Sequence, residues 1–451
     1  MNKHISDYLP AAMVRDLRQS MRNRFYIICL LLGLPASLWT LLGSPQGNGY
    51  VMSFFAIALM WFIIPNRAGS AVTADAKVKS TNFIILTPLT SRRIVWGIWL
   101  SAVAQLTIVA AIGSLLLWWR HNLPEHAELT PDLLAQDWLV YGCIYAIGVL
   151  MCAVFMFFAQ VSRIFRIAGE IFVLMYLWSI IGQLVFIMAV NNNPIGFIFS
   201  AFTPYHYLIF GINYILLLLV MLELSRRCYA SATENCSLSV RGLALCALLS
   251  VPLLYVIIPS EIDFITGHYH YAFVYLFITL ACMSDAMLPT HSPIYRGSNP
   301  LLKKLAHLHT PGVGQSALVM ILMMLVYAGT GMWLNSTGLL NGAITPESAT
   351  ILCATTSITY LYMVAILLTD LTCKRSNINR PVICFGYIIA LTMVAGVFTL
   401  ITQGTPAASF ASIIPGCKPE VSSSADFYVS AAISLLCSII VLYTVMLRKG
   451  K

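Results

Sequence analysis

The sequence predicts an all-α polytopic membrane protein, with about twelve transmembrane helices in two parallel six-helix halves and both termini in the cytosol. Three observations predict it. Hydrophobic residues make up 59% of the chain and charged residues 10%, and the mean hydropathy is +0.83. Soluble domains carry about 25% charged residues, so this chain cannot cover a surface that faces water. Second, twelve long apolar stretches recur along it. Third, the Lys and Arg residues fall almost entirely in alternate gaps between those stretches.

The stretches are Phe25–Gly43, Tyr50–Ile64, Ile94–Trp119, Trp138–Gln160, Ile167–Val190, Tyr207–Leu222, Leu243–Ile258, Tyr269–Met287, Ala317–Leu334, Ala349–Leu368, Val382–Ile401 and Phe427–Leu447. Most approach the ~20 residues that a helix needs to cross a ~30 Å hydrocarbon core. The second is short and is expected to stop at Pro65. Helices follow because the backbone must satisfy its own hydrogen bonds in lipid. The alternating strands of about ten residues that a barrel requires are absent.

One set of gaps carries the basic residues. They run from Lys3, Arg15, Arg18, Arg22 and Arg24, through Arg67, Lys77, Lys79, Arg92 and Arg93, to Arg163 and Arg166. Arg226, Arg227 and Arg241 follow, then Arg296, Lys303, Lys304, Lys374, Arg375, Arg380, Arg448, Lys449 and Lys451. The other set holds only Arg120 and Lys418 among bases, beside Glu125, Glu128, Asp132, Asp137, Glu261, Asp263, Glu347, Glu420 and Asp426. Basic short loops stay cytosolic, which orients every span and puts both termini inside. The net charge of +9 is this bias, and no loop combines basic and aromatic residues in a nucleic-acid pattern. Only Cys417 of the twelve cysteines lies in an outer loop, so no external disulfide is expected.

Residues 1–24 read as a cytosolic amphipathic segment. Met13, Leu17 and Met21 share one helical face, with Arg15, Arg18 and Arg22 turned elsewhere. The segment either lies in the headgroup plane or is a basic flank that orients the first span. Residues 25–235 form the first six-helix half, including the cytosolic stretch 66–93. There Ala71–Lys79 suits a short helix, Thr87-Pro88 stops any helix, and Thr90 or Ser91 can cap the next one. Residues 236–451 form the second half. A Thr-Pro pair ahead of a span recurs there at His309-Thr310-Pro311, and halves that both start and end in the cytosol are parallel repeats.

The stretch Asp75–Trp99, with its Leu-Thr-Pro-Leu-Thr turn at residues 86–90, resembles the permease subunit of a type 2 ABC exporter. The outer segment Asn193-Pro194 to Tyr207, which contains Phe202-Thr203-Pro204-Tyr205, is similar to the re-entrant stretch of that family. The resemblance covers residues 8–225 and rests on architecture alone beyond them. It implies two six-span halves fused in one chain, an ATP-binding subunit as partner, an exported substrate of unknown identity, and a bacterial cytoplasmic membrane. It also implies that the helix between spans two and three couples to the ATPase through Asp75, Lys77, Lys79, Arg92 and Arg93, with Thr87-Pro88 setting the angle of the lever. The family's usual acidic residue and Gly in that helix are represented here only by Asp75, and the second half has no clear copy of it.

The chain has no G-x-x-x-x-G-K-(S/T) loop, so it needs no cofactor of its own, and ATP and Mg²⁺ would belong to the partner. No catalytic motif or metal-binding set is evident, and an enzyme is not expected. Gln105, Gln183 and Asn213 lie inside spans, where polar groups are costly and face helix partners or a pathway. Arg166 and Glu170 have the spacing of a same-face ion pair at the inner interface. No ionisable residue stands at the centre of a span, which disfavours an ion-coupled secondary transporter. A membrane scaffold or assembly protein is the other alternative. The partners expected are the ATP-binding subunit, the bilayer, the substrate and a second copy of the chain in a homodimer; nucleic acid is not among them.

Overall fold

Long apolar runs flanked by polar residues give long helices, and every regular element among the described residues is helical. The computed structural model describes residues 13–15, 17, 59–77, 90–122, 131–160, 204–230, 236–257, 274, 277–278, 281, 313–336, 348–372, 387, 390–391, 394, 432–441 and 443. The helices are α1 (Ile64–Lys77), α2 (Ser91–His121), α3 (Pro131–Gln160), α4 (Pro204–Ser225), α5 (Cys236–Ile257), α6 (Val313–Ser336) and α7 (Ser348–Thr372), with α8 (Ala432–Val441) near the end. Four stretches among the described residues are long and apolar enough to cross a membrane: Ser91–Trp119, Tyr141–Ala159, Tyr205–Ser225 and Ser237–Leu254. The protein is therefore read as embedded in a bilayer.

The chain divides into two compact units. One comprises Met1–Thr203 and Leu217–Ser231, the other Pro204–Leu216 and Ala232–Lys451.

In the first unit, α2 has 31 residues and is about 46 Å long at 1.5 Å per residue. That is enough to pass through the core and both headgroup layers, together ~40–45 Å. Thr90 caps it: its Oγ1 accepts the Arg93 N–H at 3.4 Å. Exposed Trp118 and Trp119 lie at its far end, as aromatic residues do at a membrane interface. A return helix, α3, runs antiparallel to α2. Tyr141 donates to the Ala110 carbonyl at 3.0 Å, the Thr107 and Tyr145 hydroxyls meet at 2.9 Å, and Trp99 Nε1 donates to the Val149 carbonyl at 3.2 Å.

The second apolar stretch does not end at Pro65. A π-helical turn, Leu59–Ile63, leads without a break into α1. Pro65 is the second residue of α1 and follows directly on that π turn, inside one continuous helical run. The wider π turn just before it removes the conflict between the proline ring and the preceding carbonyls. So the helix expected to begin near Ala71 starts seven residues earlier, at Ile64. It lies parallel to α3. Ala68 and Val72 are buried, and a Cβ on Gly69 would stand 2.9 Å from the Phe155 carbonyl oxygen. Trp61 Nε1 donates to the Ile144 carbonyl at 2.9 Å.

The second unit is joined by apolar contacts. Ile321 of α6, Met363 and Ile366 of α7 and Val441 of α8 form a buried cluster, extended by Tyr360, Val364, Leu367 and Leu435. Ile209 packs on Leu254 of α5, beside Tyr205 and Ile212.

In the N-terminal segment, Met13, Val14, Arg15 and Leu17 are helical, with Arg15 exposed and Met13 and Leu17 half-buried. The stretches Phe25–Gly43 and Ile167–Val190 lie outside the described residues.

Candidate functional site

Among the described residues of the first unit, polar side chains gather where the start of α2 meets the end of α4. Hydropathy ends the sixth apolar stretch at Leu222, and the next residue is Glu223. The helix continues through it to Ser225, then tightens into a 3₁₀ turn, Arg226–Cys228, that lies beside α2. Glu223 is thereby held in the last turn of α4, with its side chain only 10% exposed.

Both of its oxygens are used. Oε1 accepts from Arg92 Nε at 2.9 Å and lies 2.7 Å from Arg92 Nη2. Oε2 accepts from Arg226 Nη1 at 2.9 Å. Arg226 Nε donates to Ser91 Oγ at 2.7 Å. One carboxylate thus joins a guanidinium of α2 to a guanidinium just beyond its own helix, and the second guanidinium reaches back to the first residue of α2. Arg226 is 14% exposed, whereas Arg92 is 56% exposed.

Helix ends explain why the parts fit. The N-terminus of α2 carries partial positive charge and favours the nearby carboxylate, and the C-terminus of α4 favours Arg226. Thr90 and Ser91, either of which suits a cap, divide the work. Thr90 caps the helix, and buried Ser91 accepts Arg226 instead. Charge-assisted hydrogen bonds are the stronger class, and three such contacts here bridge sequence separations of more than a hundred residues or sit nearly buried.

Of the residues singled out from sequence, Arg92 and Arg93 are the second and third residues of α2. Only Arg92 is drawn into the cluster, while the Arg93 side chain is exposed. Asp75 and Lys77 are in the last turn of α1. Lys79, Thr87, Pro88, Arg166, Glu170 and Gln183 lie outside the described residues. Gln105 is buried and turned back on its own helix, donating from Nε2 to the Ser101 carbonyl at 3.2 Å and hydroxyl at 3.4 Å. Asn213 is buried in α4. Glu223 was not singled out. The spacing Glu223-x-x-Arg226, which puts the pair on one helical face, is the signal that would have found it.

No protein-family model, no curated protein and no solved structure matches the chain.

Proposed function

We infer that this protein is the membrane-spanning permease subunit of an ATP-driven exporter of the type 2 ABC class. In this reading it has twelve spans in two six-helix halves, both termini in the cytosol, a bacterial cytoplasmic membrane as its site, and a separate subunit that hydrolyses ATP. The observation that carries the reading is mechanical. Residues 78–89 connect the end of α1 to the start of α2. On one side α1 is packed along α3 through Gly69. On the other, α2 is tied to Glu223 at the end of α4. In this reading a push on this short connection reaches helices on both sides.

The residues have distinct roles. Asp75, Lys77 and Lys79 present charge to the ATPase from the end of α1 and just beyond it, and Thr87-Pro88 fixes the exit angle toward α2. Arg93 stays exposed for the partner. Arg92 belongs more to the internal clasp than to the partner, since two of its nitrogens are on Glu223.

The test is purification of the full chain from native membranes in mild detergent. A soluble ATP-binding subunit should co-purify. Replacing Lys77 and Lys79 with Ala, and Thr87-Pro88 with Ala-Ala, should lower substrate-stimulated ATP hydrolysis while membrane insertion is unchanged. If no ATPase associates and vesicles supplied with ATP move nothing, the reading is wrong and a scaffold role takes its place.

A further inference from the structure

The start of α2 has a second property beyond the coupling role proposed for it. We propose that Arg92, Arg93 and Trp96 form a binding site for the phosphate group of an anionic phospholipid.

Depth comes first. The apolar run of α2 opens at Ile94, directly after the two arginines, and closes at the exposed pair Trp118 and Trp119. With the apolar run in the hydrocarbon core, Arg92 and Arg93 sit at the level of the lipid phosphates. Trp96 lies one turn further in, three and four residues after them, on the same helical face. It is half-buried, and its ring meets that of Trp99 edge-on with centroids 5.3 Å apart. An aromatic body with a polar edge at that level suits the headgroup boundary.

Order comes second. A free surface arginine pays rotamer entropy to hold an anion. Arg92 has already paid it, because Glu223 holds its Nε and Nη2, while 56% of the side chain remains open. A planar guanidinium held on one edge can still offer donors from the other to a phosphate. Charge comes third. Arg92 and Arg93 place two adjacent formal positive charges in the first turn of α2. The N-terminus of α2 adds to the same sign. An anion at the open side of Arg92 is attracted by both, and water screens that attraction poorly at the membrane boundary. Basic positions between spans at the headgroup level are where anionic lipids are recognised.

The purified full chain in a neutral detergent tests this. Dioleoylphosphatidylglycerol, dioleoylphosphatidylcholine and inorganic phosphate are added separately, with thermal unfolding and native mass spectrometry as readouts. Phosphatidylglycerol should raise the unfolding temperature and stay bound, and phosphatidylcholine should not. Arg92→Gln, which leaves the Glu223–Arg226 pair in place, should weaken phosphatidylglycerol binding about ten-fold, as expected for losing a charged hydrogen-bond pair. Arg92→Lys keeps the charge and should fall between. If Arg92→Gln does not fold, Arg93→Gln, altered at an exposed side chain, carries the comparison and should also weaken binding. Equal stabilisation by inorganic phosphate, lost in Arg92→Gln, supports a phosphate site whose natural occupant is soluble. Equal response to the two lipids, or unchanged binding after both arginines are replaced by Gln, overturns the proposal.

Discussion

Helix α3 carries two seams of different chemistry. Toward α2 it is held by polar side chains: Tyr141 on the Ala110 carbonyl, Tyr145 on Thr107, and Trp99 on the Val149 carbonyl. Toward α1 and the π turn before it, it is held by closeness and by one hydrogen bond, from Trp61 to the Ile144 carbonyl. Gly69 sits against the Phe155 carbonyl, and Gly148 against the Met60 carbonyl. A bilayer offers no hydrophobic gain for joining two helices, since lipid tails are as apolar as leucine. Association must come from van der Waals packing or from hydrogen bonds. The comparison teaches that one helix uses both means, and that among the described residues the antiparallel partner takes more of the hydrogen bonds. Trp99 and Tyr141 donate to carbonyls inside helices, and Tyr145 meets the Thr107 hydroxyl, so these bonds are added to the helical ladders rather than replacing them.

The clasp at Glu223 differs from both seams, because it joins ends rather than lengths. It should be the most costly to break. Glu223→Ala removes the carboxylate that Arg92 and Arg226 share. Breaking a buried pair costs about 3–5 kcal/mol, and the exposure of Arg92 puts this case near about 3. Detergent-micelle unfolding of the variant should show a large drop, with Glu223→Gln less affected. Equal stability of Glu223→Ala and wild type would remove the clasp from any account of the fold.

Gly69→Val attacks the close seam. A Cβ there would already lie 2.9 Å from a backbone oxygen that cannot turn away. Overpacking of this kind costs about 1–3 kcal/mol, and the same unfolding assay should report it. Trp99→Phe attacks the polar seam and should cost about 1 kcal/mol or less, the usual net value of one hydrogen bond. A loss larger than that of Gly69→Val would reverse the ranking of the two seams. The combination of Gly69→Val and Trp99→Phe sharpens the picture. If the seams act independently, their costs should add to within about 0.5 kcal/mol. The smallest effect is expected for Thr107→Val. Its hydroxyl also bonds the Val103 carbonyl of its own helix, and the site is exposed, so the change should stay under about 0.5 kcal/mol.

Much of the helical framework was legible in the sequence. The apolar stretches Ile94–Trp119, Trp138–Gln160 and Tyr207–Leu222 lie inside α2, α3 and α4. The observed helices extend past most of these limits because polar end residues stay helical while hydropathy falls. Pro65 misled the reading of the second stretch. Proline conflicts with a regular α ladder, but here the ladder is already altered by the π turn and the helix continues past it. The candidate site was legible only in part. Arg92 and Arg226 were visible as inner charges, but their shared carboxylate was hidden at the edge of a hydropathy window. Gln105 shows the same limit, since a polar residue in a span announces a need for a partner without saying that its own helix supplies it.

The sequence by itself determined the material: an all-helical chain too apolar for water, with spans long enough for a bilayer. Those properties are sums over residues, and a linear pattern carries them. The tertiary structure decided the pairings: Ser91 with Arg226, Glu223 with Arg92, Gly69 with the Phe155 carbonyl. A hydrogen bond or a backbone contact depends on crossing geometry at the scale of an ångström. Two helices of the same hydropathy can meet in many registers, and only the packed arrangement selects one.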